Sequence, residues 1–175
     1  YGGSNILQLG LSGYFHDDHS ANKKFKSYGE VVAKRGNNRA ILNTGDISMS
    51  NHKALSAEIA GQNGPLYGEA EYQRVFISRP AGADRLHFDG YHVTVSYVLT
   101  GEAKTFKDFN GTFGQIKPAS PNGAWEIAAK YSVLDLNDKD IQGGKARNVT
   151  LGLNYYVNNN VKIAAEYIRS LQNPS

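Results

Sequence analysis

The sequence contains no cysteine. That excludes disulfide staples, thiol catalysis and cysteine-ligated zinc, and it suits a chain that crosses an oxidising compartment without risk of mispairing. No apolar run approaches the roughly 18 residues a membrane-spanning helix needs, and the mean hydropathy is −0.48. A helical membrane protein is therefore excluded, whereas a membrane β-barrel is not, because half of each of its strands faces water. Strong charge is also missing. A net charge of +3 gives only a slight bias toward anionic partners, and no nucleic acid partner is expected. Nucleophile elbow, phosphate-cradling glycine loop and catalytic dyad are all absent, so no enzyme is expected. The five histidines, His16, His19, His52, His87 and His92, are scattered. His16, Asp17, Asp18 and His19 have the composition of a metal cluster but match no metal-ligand spacing. Asp135, Asn137, Asp138 and Asp140 lack the glycine and terminal glutamate of a calcium loop. Neither metal nor cofactor is expected.

What the chain does have is alternation. In the stretch 123–133, Trp125, Ile127, Ala129, Tyr131 and Val133 fall on one face, with Ala124, Glu126, Ala128, Lys130 and Ser132 on the other. That is a strand with an apolar face and a small, polar or charged face. The same period of two recurs at Ile6–Phe15, Leu55–Gln62, Leu66–Ser78, His87–Leu99, Ala124–Asp135, Arg147–Val157 and Val161–Ser170, and more weakly at Ser27–Arg35 and Arg39–Ser48. The expectation is an all-β, antiparallel protein of about eight or nine strands with no helix. Short turns fall at 63–65 and 158–160, and longer polar connections at 80–86 and 136–146. The segment 100–122 is a long connection rich in glycine, proline and lysine. If 158–160 lies on the periplasmic side, 100–122 lies there too, against the rule that periplasmic turns are short.

Alternation alone does not separate a soluble sandwich from a membrane barrel. Aromatic placement bears on the choice. Tyr91, Tyr97, Trp125, Tyr131, Tyr155 and Tyr167 sit on the apolar faces, several near strand ends, as an interfacial girdle would; sandwich cores hold aromatics as well.

Three segments carry a resemblance. Gly90–Tyr91–His92–Val93–Thr94–Val95–Ser96–Tyr97–Val98–Leu99–Thr100–Gly101–Glu102 resembles a "GYY…SYFLTGE" block. Gly123–Ala124–Trp125–Glu126–Ile127–Ala128–Ala129–Lys130–Tyr131–Ser132, with Leu134–Asp135–Leu136–Asn137–Asp138, resembles "GAWELAARYS.LDLND". Leu151–Gly152–Leu153–Asn154–Tyr155–Tyr156–Val157–Asn158 resembles "LGLNWYLN". These blocks are similar to those of the phosphate-selective porin O/P family, in matching order over roughly residues 40–170. The resemblance implies a sixteen-stranded transmembrane β-barrel in the bacterial outer membrane, usually a homotrimer. Its partners would be outer-membrane lipid, lipopolysaccharide and small anionic solutes. On this reading residues 1–175 are part of one barrel domain, with the N-terminal half and the last strand missing. The inward-folding constriction loop and most of the family's basic ladder then belong to that missing half. Tyr155 stands where the family has tryptophan, and Lys130 where arginine is common. The alternative is a non-conducting β-protein: a secreted binding module, adhesin or scaffold.

Parity places Lys130, Lys162, Glu126, Glu166, Glu58, Glu69, Glu71, His92 and Asn154 on the polar faces, as candidates for a pore lining. The lysines would attract anions or pair with cross-strand carboxylates, and the glutamates oppose an anion-attracting field unless neutralised. Lys34, Arg35, Arg39, Lys145 and Arg147 are expected in loops or at a mouth. Tyr91, Tyr97, Trp125, Tyr131, Tyr155 and Tyr167 are expected to face the membrane.

Overall fold

The computed structural model describes residues 5–17, 24–26, 42–80, 82–107 and 111–171. Among these residues the chain forms strands and turns and no helix. Seven long strands are β1 (Asn5–Asp17), β4 (Asn51–Asn63), β5 (Leu66–Ser78), β6 (Leu86–Val98), β9 (Ala124–Asp138), β10 (Ile141–Tyr156) and β11 (Lys162–Ser170). They form one antiparallel sheet in the order β1-β4-β5-β6-β9-β10-β11, so sequence neighbours are spatial neighbours throughout. Two short strand pairs complete the described structure: β2 (Lys24–Phe25) with β3 (Ile47–Ser48), and β7 (Lys104–Lys107) with β8 (Thr112–Ile116).

The period-two reading transfers intact. Through the middle of the sheet, register carries apolar positions opposite apolar positions, from Leu9↔Ile59 and Ile59↔Ala70 to Val93↔Tyr131 and Leu151↔Tyr167. A slip of one residue would exchange the faces, and none occurs across the apolar rows. One irregularity lies between Gln142 and Lys145, near the far end of β10.

Strand ends depart from expectation in two places. The connection at 136–146 is not a long loop. β9 and β10 run on to a two-residue turn, Lys139–Asp140, in which Lys139 takes a φ of 52°. Turns of this kind favour glycine or asparagine at such a position; without that chemistry the turn left no mark in the sequence. Lys145 consequently lies within β10 rather than in a loop, and Arg147, expected at the start of its strand, lies further inside it. Arg79, just beyond β5, clamps the turn through two bonds to Asp140, Nη1–H to Oδ2 at 2.8 Å and Nη2–H to Oδ1 at 2.7 Å. Of the two weaker strand candidates, Ser27–Arg35 lies outside the described residues, and of Arg39–Ser48 only Ile47–Ser48 is a described strand.

The guanidinium of Arg79 also holds the Asp140 carboxyl below its ordinary range. A depressed carboxyl stabilises the fold above its unfolded value, and that contribution is lost as pH falls through the lowered folded value. Carboxyl NMR titration of an Arg79→Met variant should show the Asp140 midpoint returning upward to an ordinary aspartate value. An unmoved midpoint would mean that the clamp does not form in solution.

The core lies on the polar side of the sheet. Toward the ends of the long strands that side turns apolar, through Val75 and Ile77 on β5, Leu86 and Phe88 on β6, and Leu134 and Leu136 on β9. Residues 42–49 fold inward over this end, where Leu42 and Ile47 bury against Ile77, Leu86, Phe88 and Leu136. The amide of Asn43 donates to the carbonyl of Gly143 at 2.9 Å. Gly143 has to be glycine, because a Cβ there would lie 2.5 Å from the Leu136 carbonyl oxygen.

At the opposite end the 100–122 connection is not merely a long loop. It folds back over the polar face as the β7–β8 hairpin, and Ile116 buries against Val98, Ala124 and Tyr156. An infolded segment is therefore present in this chain itself. Among the described residues the apolar side remains bare: Leu9 is 73% exposed and Leu151 52%.

Candidate functional site

Between the two infolded segments no described residue covers the polar side. A recess of about 490 Å³ lies there, lined in part by Glu71, His92, Lys130, Ser132, Thr150 and Glu166. Lys130 is exposed in the middle of β9 between its register neighbours Thr94 and Thr150. Among the described residues no carboxylate lies within ion-pair distance of its ammonium, so cross-strand pairing does not consume its charge. Lys162 sits over the Tyr156 ring, its Nζ 5.7 Å from the centroid, and likewise forms no ion pair among the described residues.

The glutamates divide into groups. Glu58, Glu69 and Glu71 form an acidic strip on β4 and β5, with Glu58 directly opposite Glu71. Glu58 lies across Gly10 on β1, where a Cβ would come within 2.2 Å of Glu58 Oε1; glycine makes room for that carboxylate. Ser56 Oγ donates to Glu71 at 2.7 Å and Tyr67 OH to Glu69 at 2.5 Å. His92 stands between the two, its Nε2 3.5 Å from Glu69 and its Nδ1 3.9 Å from Glu71. Glu166 is exposed on β11. Glu126 is buried, and its Oε2 accepts from Tyr156 OH at 2.8 Å and from Asn154 Nδ2 at 3.0 Å. Its Oε1 lies 2.9 Å from Nζ of Lys104 on β7. Lys104 and its contacts escaped the sequence reading. The available signal was indirect: the polar face turns apolar at both ends, which requires something inside to cover it.

The other face carries the aromatic residues. Tyr97, Trp125 and Tyr155 cluster at the short-turn end, where the Trp125 and Tyr155 rings stack at 4.4 Å. Tyr91, Tyr131 and Tyr167 stand several residues further along their strands on the same face. Beyond them comes a row of charge: Arg74 bonded to Asp89 at 2.6 and 3.0 Å, and Lys145 paired with Asp135 at 2.7 Å, with Arg147 and Arg169 exposed. Between the lower aromatics and this row no strand carries a charged residue on the apolar face. On β6 the interval from Tyr97 to Asp89 is eight residues, or about 27 Å along a strand. Lys34, Arg35 and Arg39 lie outside the described residues.

Among the described residues no group of three or more potential metal ligands converges. The arrangement sets a charged, hydroxyl-bearing wall on one side against a continuous apolar band on the other.

Comparison with known proteins gives a consistent answer. Residues 2–173 match the family described as phosphate-selective porin O and P. The chain is 31% identical over 122 residues to Porin O of Pseudomonas aeruginosa, which covers 61% of this chain and 27% of that protein. It is 25% identical over 148 residues to an uncharacterized protein of Caulobacter vibrioides, covering 82% of this chain and 29% of that protein. The chain thus spans less than a third of the length of either relative.

Proposed function

This chain belongs to the phosphate-selective porin O and P family, and from that we infer that its sheet is one stretch of the wall of an outer-membrane barrel whose polar face lines a water-filled pore for small anions. The observation that carries this reading is the charge-free band on one face of all seven long strands. A charged side chain at the midplane of a barrel's lipid face costs about 2–4 kcal/mol, so a band of this width, edged by aromatics and then by charge, fits a bilayer. A sandwich would cover that face with a second sheet, and no second sheet packs on it among the described residues.

Among the described residues the outer edges of β1 and β11 have no partner strand, which supports the same reading. Open edges are not tolerated in lipid, so both pair in the working barrel with strands outside the described sheet. Closure at sixteen strands, trimeric assembly and contact with lipopolysaccharide belong to this proposal. So does the lining role of Lys130, Lys162, Glu58, Glu69, Glu71, His92, Glu126, Asn154 and Glu166. Lys130 is the main anion-attracting group of this stretch, assisted by the hydroxyls of Ser132 and Thr150. The strip Glu58–Glu69–Glu71 works against it.

The test is the reversal potential of the complete barrel in a planar bilayer under a salt gradient, with and without phosphate. An anion-selective current that phosphate reduces is expected. A cation-selective current would overturn the anion reading, and no current at all would favour a non-conducting scaffold.

A further inference from the structure

Glu126 differs from every other carboxylate on the polar face. Among the described residues it is the one that is fully buried, at 2% exposure. A carboxylate in that setting is tolerated only when paired and hydrogen-bonded. Its partners come from two sides: Tyr156 and Asn154 belong to the wall, whereas Lys104 belongs to the β7–β8 hairpin.

The same lysine is held at other points. Its backbone exchanges two bonds with the side chain of Gln62 on β4, N–H to Oε1 at 3.0 Å and C=O from Nε2 at 3.1 Å. Its Nζ sits 4.6 Å from the centroid of the Tyr67 ring, against which Phe113 packs at 4.8 Å. At the far end of the hairpin Gly111 lies beside Gln8 on β1, where a Cβ would stand 3.5 Å from Gln8 Nε2. The hairpin therefore crosses the polar face from the β9–β10 side to β1, and it is tied down at Lys104.

We propose that Glu126 is the positioning residue that pins the β7–β8 hairpin across the lumen, so that the Lys104–Glu126 pair sets both the bore and the charge offered to solutes at the short-turn end. This inference rests on the porin reading above. While paired, the two groups present no net charge to the pore. Breaking the pair has two separable consequences. Either substitution removes the charged tie while leaving the Gln62 bonds and the Ile116 contacts, so the hairpin loosens and the open area grows. The charge left behind differs: Glu126→Gln leaves the Lys104 ammonium, and Lys104→Met leaves the Glu126 carboxylate.

The experiment is single-channel recording of the complete barrel and of each variant, in a salt gradient, with heat-modifiable gel migration to certify folding. Both variants should show conductance raised about twofold and spread over a wider range, as a widened constriction requires. Their reversal potentials should move in opposite directions, Glu126→Gln toward anions and Lys104→Met toward cations. A purely structural loosening would move both the same way or neither, and that result overturns the inference. If Glu126→Gln does not fold, Lys104→Met alone decides it by raised conductance with a shift toward cations; unchanged values overturn it. A parent barrel that carries no current overturns the porin reading and the inference together, whereas a conducting parent with unaltered variants overturns only the latter.

Discussion

A complete barrel carrying Val93→Arg is expected not to reach its folded, heat-modifiable form. Val93 lies midway along the charge-free band on β6, 44% exposed, between Ala70 on β5 and Tyr131 on β9. Placing a guanidinium there costs about 2–4 kcal/mol if the face meets hydrocarbon at its midplane, a large share of the stability of a single domain. Two companions make the test specific. Thr94→Arg, one residue along, turns the same charge onto the polar face and should be accepted. Tyr72→Arg, one row below Arg74, sits near the edge of the band, where the cost falls to about 0–1 kcal/mol. The gradient with depth is the signature of lipid, because a packed protein core would reject arginine at both Val93 and Tyr72. Equal failure at those two positions would therefore count against the membrane assignment.

Lys130→Glu should move the reversal potential toward cations. The residue faces the recess with no carboxylate partner among the described residues, so the substitution changes the local charge by two units. At 10 Å in water each unit is worth about 0.4 kcal/mol. The swing of about 0.8 kcal/mol is close to a fourfold change in anion occupancy, reduced to about twofold where the Debye length is itself about 10 Å. Low ionic strength will show it best. Lys162→Glu should shift the potential in the same sense. No shift for Lys130→Glu at low salt would remove this lysine from the conducting path.

The faces of the strands were legible in the sequence because side-chain direction alternates with period two whatever surrounds the strand. All six aromatic residues expected on the apolar side lie there, and the nine polar candidates share the opposite face. Turns were legible only where they carried turn chemistry. Asn63–Gly64–Pro65 and Asn158–Asn159–Asn160 were found, but Lys139–Asp140 was not, and the miss misplaced Lys145. Leu134 and Leu136 held a signal of a different kind. They continue an apolar pattern onto the polar face, which makes sense only when a segment such as Leu42 and Ile47 lies against it.

By itself, then, the sequence determined the antiparallel all-β class, the two chemically distinct faces and the resemblance that family membership bears out, because each rests on local alternation or contiguous blocks. Only the tertiary structure decided that residues 42–49 and the β7–β8 hairpin fold inward, that Glu126 is buried against Lys104 rather than paired with Lys130, and that Lys130 meets no carboxylate partner among the described residues. Those outcomes depend on strand register and on where a connection closes back onto the sheet. Neither is encoded within reach of a single strand: Glu126 and Lys104 are 22 residues apart, and they meet because the hairpin between them turns toward the polar face.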